Sequence, residues 1–386
     1  MKENIRLGIV GLGNMGRAHR QNILEGKVTG IDLSAVCDVA QGLPEKRDGE
    51  AQFTDVGDMI SSAKIDAIHI CTPHPSHREI GVQALQAGLH VLMEKPLAVH
   101  KADCQALIDA YDATGRKKVF AAMFNQRTDP HYKTLKKMID AGETGKVRRI
   151  HWSVTDWFRT EYYYALGGWR ATWKGEGGGV LLNQCLHQLD ALQWIVGMPT
   201  KVQSHVGIGK HHDIEVEDDV TCYMEYPNGA SGAFITSTGE TPGSNRFEIA
   251  GTKGRVLLEN DKLIVTRNEV ASDEWSRTSK IGFQQPVATV EEIPIPSADD
   301  AHAKLVANFV NAILDGEELI APGASGIGSV ELANVMVYSG LLGQAIDLPM
   351  DSAAWEAKLN DLIANSTHEK KVVEVSNEDF NASFRK

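Results

Sequence analysis

"GIVGLGNMGRAH", residues 8–19, decides the fold. An apolar run, Ile5 to Val10, leads directly into Gly11-x-Gly13-x-x-Gly16 at the opening of a helical stretch. Glycines at this spacing permit a tight strand-to-helix turn and let backbone N–H groups approach a pyrophosphate at the helix N-terminus. Asp38 follows at the end of the next apolar run, where a carboxylate can accept hydrogen bonds from an adenosine ribose. That carboxylate would repel a 2'-phosphate, and Val39 and Ala40 come after it rather than Arg or Ser, so the pattern favours NAD over NADP. Gly11, Gly13, Asn14, Met15, Gly16 and Asp38 are the candidate cofactor residues of this loop.

Outward from the loop, residues 5–125 alternate short apolar runs with amphipathic stretches. "IRLGIV", "LSAVCD", "IDAIHICT", "HVLMEK" and "KVFAAMF" read as strands, and 76–87 and 99–114 as helices ending near Gly88 and Gly115. This rhythm predicts βαβ units and a parallel, doubly wound sheet. After about residue 126 the rhythm changes. A helix over 130–141 and a strand in "RRIHWSVTDW" are followed by hairpin signals around Pro227-Asn228-Gly229 and Asn260-Asp261, which predict an antiparallel sheet. Residues 272–300 read as irregular connection, and 301–315 and 329–346 as helices.

At 386 residues two domains are expected, and 42% hydrophobic content fits an ordinary globular chain. The 51 acidic against 39 basic residues give a net charge of -12, which disfavours nucleic acid and anionic membrane as partners. Neither a leader nor a long apolar span is evident, and Cys37, Cys71, Cys104, Cys185 and Cys222 form no CxxC pair. A cytoplasmic enzyme without disulfides or a metal is the expectation.

The stretch "GGGVLLNQCLHQLD", residues 177–190, has helical apolar spacing. Leu182, Cys185, Leu186 and Leu189 share one face; Asn183, His187, Asp190 and Trp194 share another that is either solvated or lines a site. The segment 156–179 before it is dense in aromatics and arginines, which suits stacking on sugar C–H faces and donation to hydroxyls. Trp157, Arg159, Tyr163, Trp169 and Arg170 are candidate substrate contacts, although about half of the segment's aromatics are expected in a subunit interface. "KHHDIEVEDD", 210–219, lacks metal-ligand spacing and reads as a solvated loop.

"CTPHPSH" (71–77), "MEKP" (93–96) and the segment carrying Asn183 and His187 together resemble the Gfo/Idh/MocA oxidoreductases, the glucose-fructose oxidoreductase and inositol dehydrogenase group. The resemblance implies an α/β fold with an N-terminal Rossmann domain, 1–124, and a C-terminal α/β domain, 125–386, whose open, mostly antiparallel sheet packs in a homodimer or homotetramer. It places Lys95 beside the nicotinamide, with a Lys-Pro peptide that is often cis, and Thr72, Pro73, His77 and Glu94 around the cofactor; His77 could equally be a solvated helix residue. Gln126 and Arg127 resemble substrate-side residues. The family commonly has Asp-x-x-x-His where this chain has Asn183 and His187. An amide takes no proton, so acid/base work falls to His187, Lys95 or both, with Asp190 a candidate partner of His187 if it is not solvated. The implied activity is NAD-dependent oxidation of a secondary hydroxyl in a sugar, anhydrosugar, glycoside or cyclic polyol. Redox-assisted elimination or glycoside cleavage, and a non-catalytic NAD-dependent sensor, are the alternatives.

Overall fold

The computed structural model describes residues 4–39, 43–45, 47–297 and 299–373; Ala40 lies outside them. Six parallel strands form the first sheet: β1 (Ile5–Val10), β2 (Ile31–Cys37), β3 (Ala51–Phe53), β4 (Ala67–Ile70), β5 (His90–Met93) and β6 (Phe120–Ala122). Their order is β3-β2-β1-β4-β5-β6. Helices on both faces explain the unbroken apolar runs: all four residues of β4 and five of six in β1 are buried. The order reverses between β1 and β4, and a crevice outside the strand C-termini at such a point is where ligands bind in open α/β sheets. β3 is a short, half-buried edge strand whose three residues carry no readable period.

The second sheet, among the described residues, holds β7 (Val147–Val154), β8 (Lys201–Ile208), β9 (Glu217–Glu225), β10 (Ser231–Ser237), β11 (Asn245–Gly251), β12 (Gly254–Glu259), β13 (Lys262–Asn268), β14 (Ala288–Ile293) and β15 (Ile346–Asp347). The order is β14-β13-β12-β11-β7-β10-β9-β8-β15, antiparallel throughout except for β7 beside β10. Alternation along β9 buries Val220, Cys222 and Met224 and exposes Thr221, Tyr223 and Glu225, so one face is packed and one is open. Trp152 stacks on Phe247 at 4.0 Å in the packed layer. The helix Ala301–Asp315 returns toward the first sheet, and the Ala122 N–H donates to Ala321, lengthening that sheet's edge.

Two expectations are corrected. Residues 272–300 contain the helix Ser272–Thr278 and strand β14, which pairs with β13 from Ala288 to Ile293. The helix expected from about residue 182 begins only at Leu186 and runs to Val196. Residues 177–185 form turns instead, because their amides are taken by another chain segment: Gly179 and Leu181 N–H donate to Glu217 Oε1, and Val180 N–H donates to the Glu217 carbonyl.

Candidate active site

The glycine loop shows why each glycine is needed. Gly11 has φ +86°, and a Cβ there would lie 2.8 Å from the Cys71 carbonyl and Thr72 N; a Cβ on Gly16 would collide with the Gly11 carbonyl at 1.8 Å. Gly13 differs, since a Cβ there would meet nothing within 4 Å. The first and third glycines let the chain pack on itself, and the middle one leaves a cradle that a side chain would fill. That cradle opens at the N-terminus of the helix Asn14–Leu24 and fits a pyrophosphate. Asp38 Oδ2 accepts from Leu12 N–H at 2.6 Å, fixing the loop to the end of β2 where a ribose would lie.

Lys95 follows β5, and the Lys95–Pro96 peptide is cis. Its Nζ donates to the Asn183 carbonyl oxygen at 2.9 Å and lies 3.4 Å from Asn183 Oδ1, joining the two domains. Burial pushes the ammonium down to about 8, because desolvation outweighs the stabilising charges of Glu94 and Glu176, and Arg170 and Arg159 add to the depression.

Three residues expected at the cofactor or substrate, His77, Glu94 and Arg127, have other work, as does Asp190, the candidate partner of His187. His77 is fully buried, its Nδ1 2.8 Å from the Pro96 carbonyl and its Nε2 2.8 Å from the Thr72 carbonyl, so it braces the Lys95–Pro96 turn against the end of β4 and is neither solvated nor turned to a ligand. Glu94 is buried with Oε1 2.7 Å from His19 Nε2 and Oε2 accepting from Lys95 N–H; its carboxylate is committed inside the protein rather than to a ribose. Arg127 and Asp190 form a buried bidentate ion pair at 2.6 and 2.7 Å, which removes Arg127 from the substrate and Asp190 from His187. Gln126 stays at the rim, accepting from Gln188 Nε2 at 3.4 Å.

His19, His69, Cys71 and Glu94 bring ligand-type atoms within 4.8 Å of one another, a juxtaposition no sequence spacing announces. Its shortest contact is the His19–Glu94 hydrogen bond. Burial lowers His69 to about 4, so that ring is neutral near pH 7. Burial works against the Glu94 carboxylate, yet the hydrogen bond from His19 and the His69 ring 3.7 Å away hold it well below the usual range.

In the second domain, Asn183 is buried and donates from Nδ2 to Glu176 Oε1, whose partner oxygen accepts from Ala171 N–H at 2.6 Å. His187 stands on the first turn of the helix Leu186–Val196, half-buried, edge-on to Phe124 at 6.3 Å. Two of the three glycines have distinct reasons here: Gly177 has φ +81° with Val99 against it, and a Cβ on Gly179 would come 2.0 Å from the Glu217 carbonyl.

The aromatic and arginine segment forms a ladder. Arg159 and Arg170 lie 4.9 and 4.8 Å from the Tyr163 ring; Arg159 also covers Trp157 at 5.3 Å, and Arg170 covers Trp169 at 4.6 Å. The Tyr163 hydroxyl accepts from Arg170 at 2.9 Å and from Gln184 Nε2 at 3.0 Å. Trp157 Nε1, Arg159 Nε, Gln184 Oε1 and Gln188 Oε1 are buried with no hydrogen-bond partner among the described residues. Gln184 and Gln188 carry no motif; only their positions beside Asn183 and His187 could have drawn notice. Tyr164 and Trp173 pack in the core, while Tyr162 and Phe158 are exposed.

The 210–219 segment is a correction. His212, Glu217 and Asp218 are buried, not solvated: Asp218 accepts from His211 and His212 N–H, and His212 Nε2 lies 2.9 Å from the Arg159 carbonyl. The polar run clamps the turns at Arg159 and at Gly179 to Leu181. Burial pushes Glu217 up to about 7, against the pull of the amides it accepts from.

Residues 5–123 match the family described as "Oxidoreductase family, NAD-binding Rossmann fold", and residues 132–257 match the "GFO/IDH/MocA C-terminal domain". The chain belongs to the GFO/IDH/MocA family of oxidoreductases, with an NAD-binding Rossmann domain at its N-terminus. Among its relatives, the inositol 2-dehydrogenase of Rhizobium meliloti is 24% identical over 87% of this chain and 96% of its own length. The levoglucosan dehydrogenase of Pseudarthrobacter phenanthrenivorans is 25% identical over 91% and 100%. Among solved structures, the WlbA dehydrogenase from Bordetella pertussis, in complex with NADH and UDP-GlcNAcA, aligns with a TM-score of 0.74 at 25% identity, covering 90% of this chain and all of that one.

Proposed function

We propose that the chain oxidises one secondary hydroxyl of a sugar, anhydrosugar, glycoside or cyclic polyol to the carbonyl. NAD, held by the Gly11–Gly16 loop and Asp38 with Thr72 and Pro73 at its margin, supplies the hydride acceptor. The chain's own part is to bind, orient and handle the proton. Trp157, Arg159, Tyr163, Arg170 and Trp169 offer stacking faces and donors, and the buried unpartnered atoms of Trp157, Arg159, Gln184 and Gln188 suit a ligand with many hydroxyls. Lys95 and His187 take the hydroxyl proton.

The observation that carries this reading is Lys95, a half-buried lysine at the domain junction whose Nζ meets the Asn183 carbonyl and side-chain oxygen, with desolvation lowering it to about 8. It can be neutral enough to accept a proton near physiological pH and charged enough to return it. A ligand sensor would have no need of such a group. The relatives' names, inositol 2-dehydrogenase and levoglucosan dehydrogenase, support a neutral polyol or sugar substrate. Lys95→Ala and His187→Ala should each lower kcat by about 10²–10⁴-fold with NAD affinity within a factor of a few. Near-normal turnover in both variants would sink the mechanism.

A further inference from the structure

Lys95 is half-buried and carries a positive charge, yet the oxygens it touches, the carbonyl and Oδ1 of Asn183, are neutral. The charged groups acting on it are Glu94, Glu176, Arg159 and Arg170, with His74, His77 and His302 at the margin. Glu94, engaged by His19, is the stronger of the two carboxylate charges on Lys95; Glu176 is the carboxylate that reaches the side chain Lys95 meets. Glu176 is 2% exposed and held from two directions. Its Oε2 accepts from Ala171 N–H, its backbone N–H donates to the Thr172 carbonyl, and its carbonyl lies 3.2 Å from His74 Nδ1. Its other charged neighbours are Arg170, Glu217 and Lys370.

Asn183 lies between the two charges. Its amide has one orientation that satisfies both: Nδ2 toward the carboxylate and Oδ1 toward the ammonium. A flipped amide would set N–H against ammonium and oxygen against carboxylate. The chain Glu176, Asn183, Lys95 therefore has a direction, and a carboxylate buried at its far end fixes it.

We propose that Glu176 is a positioning residue of the active site, locking the Asn183 amide with its oxygen toward Lys95 and supplying, one side chain removed, a second negative charge beside that of Glu94. The proposal rests on Lys95 being the proton-handling group. Glu176 acts on Lys95 through its hydrogen bond to Asn183 and through its charge. The pair Asn183 and Glu176 divides between two side chains what one carboxylate at position 183 would do alone, and so allows the carboxylate to be moved by substitution.

The test is the pH profile of kcat/KM, measured on the full chain with NAD, for wild type, Glu176→Gln, Asn183→Leu and the charge-relocating double variant Asn183→Asp with Glu176→Gln. Removing the counter-charge disfavours protonated Lys95, so in Glu176→Gln the acidic limb should move down by about one pH unit, with KM for NAD unchanged. Asn183→Leu cuts the link while keeping Glu176 and should move the limb the same way; it also serves where Glu176→Gln fails to fold. The double variant returns a carboxylate to within reach of Lys95 and should move the limb back up. A wild-type limb that depends on Lys95 but stays in place in Glu176→Gln and Asn183→Leu overturns the proposal and leaves the proposed function intact. A wild-type profile with no limb, or one that survives Lys95→Ala, overturns the proposed function and this inference with it.

Discussion

At the scale of single residues, Lys95 is the group on which the proposed chemistry turns, and that proposal gives the pH dependence of activity a definite sign. The neutral amine accepts the proton, and burial places its titration near 8, so oxidation should quicken as pH rises through that value and level off above it. A kcat/KM profile from pH 6 to 10 checks this, and a rate that falls across the same range contradicts it. Asp38 belongs to the same scale: Asp38→Ala should lower the preference for NAD over NADP by roughly tenfold or more, read as the ratio of the two kcat/KM values. The positions of Lys95, Asp38 and the three glycines at strand ends were legible in the sequence because neighbours a few positions away fix them. His77, Glu94, Arg127 and Asp190 were legible only as residue types. Whether such a side chain faces a ligand or a buried partner depends on segments far off in the chain, as with Asp190, 63 positions on from Arg127.

At the scale of elements, the turn 177–185 is the clearest departure from local pattern. Its apolar spacing is helical, but Glu217 captures the amides of Gly179 and Leu181, and the helix starts only at Leu186. Gly179→Ala should destabilise the fold by about 3 kcal/mol, since its Cβ would meet the Glu217 backbone at 2.0 Å; thermal or urea unfolding measures it. Glu217 also gives a stability prediction with its own direction. Its folded value, about 7, lies above the ordinary 4.5, so the folded state keeps a proton that the unfolded chain has lost between those values. Its contribution is full below pH 4.5, declines as pH rises through 7 and is flat beyond, a loss of about 3 kcal/mol. Glu217→Gln should flatten that slope in unfolding measurements across pH 5 to 8; an unchanged slope would assign the pH dependence to other groups. The βαβ rhythm and the two hairpins were readable in advance because strands that pack on one or both faces keep their period. The edge strands β3 and β14 were not: one is three residues long, and the other lacks a buried face to impose alternation.

At the scale of the whole molecule, the parallel sheet presents its switch point to a wall made by the second domain, and Lys95 with Asn183 is where the two meet. No helix among the described residues is long and apolar enough to cross a membrane. The open face of the second sheet, with Tyr223 half exposed among polar neighbours, is the surface on which we expect a homodimer or homotetramer to form; light scattering should give a mass of two or four chains, and a monomer would contradict it. The central claim is oxidation of a sugar or polyol hydroxyl with NAD, and its most direct measurement is NADH formation by wild type and Lys95→Ala across a panel of inositols, aldoses, anhydrosugars and glycosides. The account predicts steady NADH accumulation with at least one panel member and its near-complete loss in Lys95→Ala. Product formed without net NADH, or wild-type and variant rates that match, would contradict it.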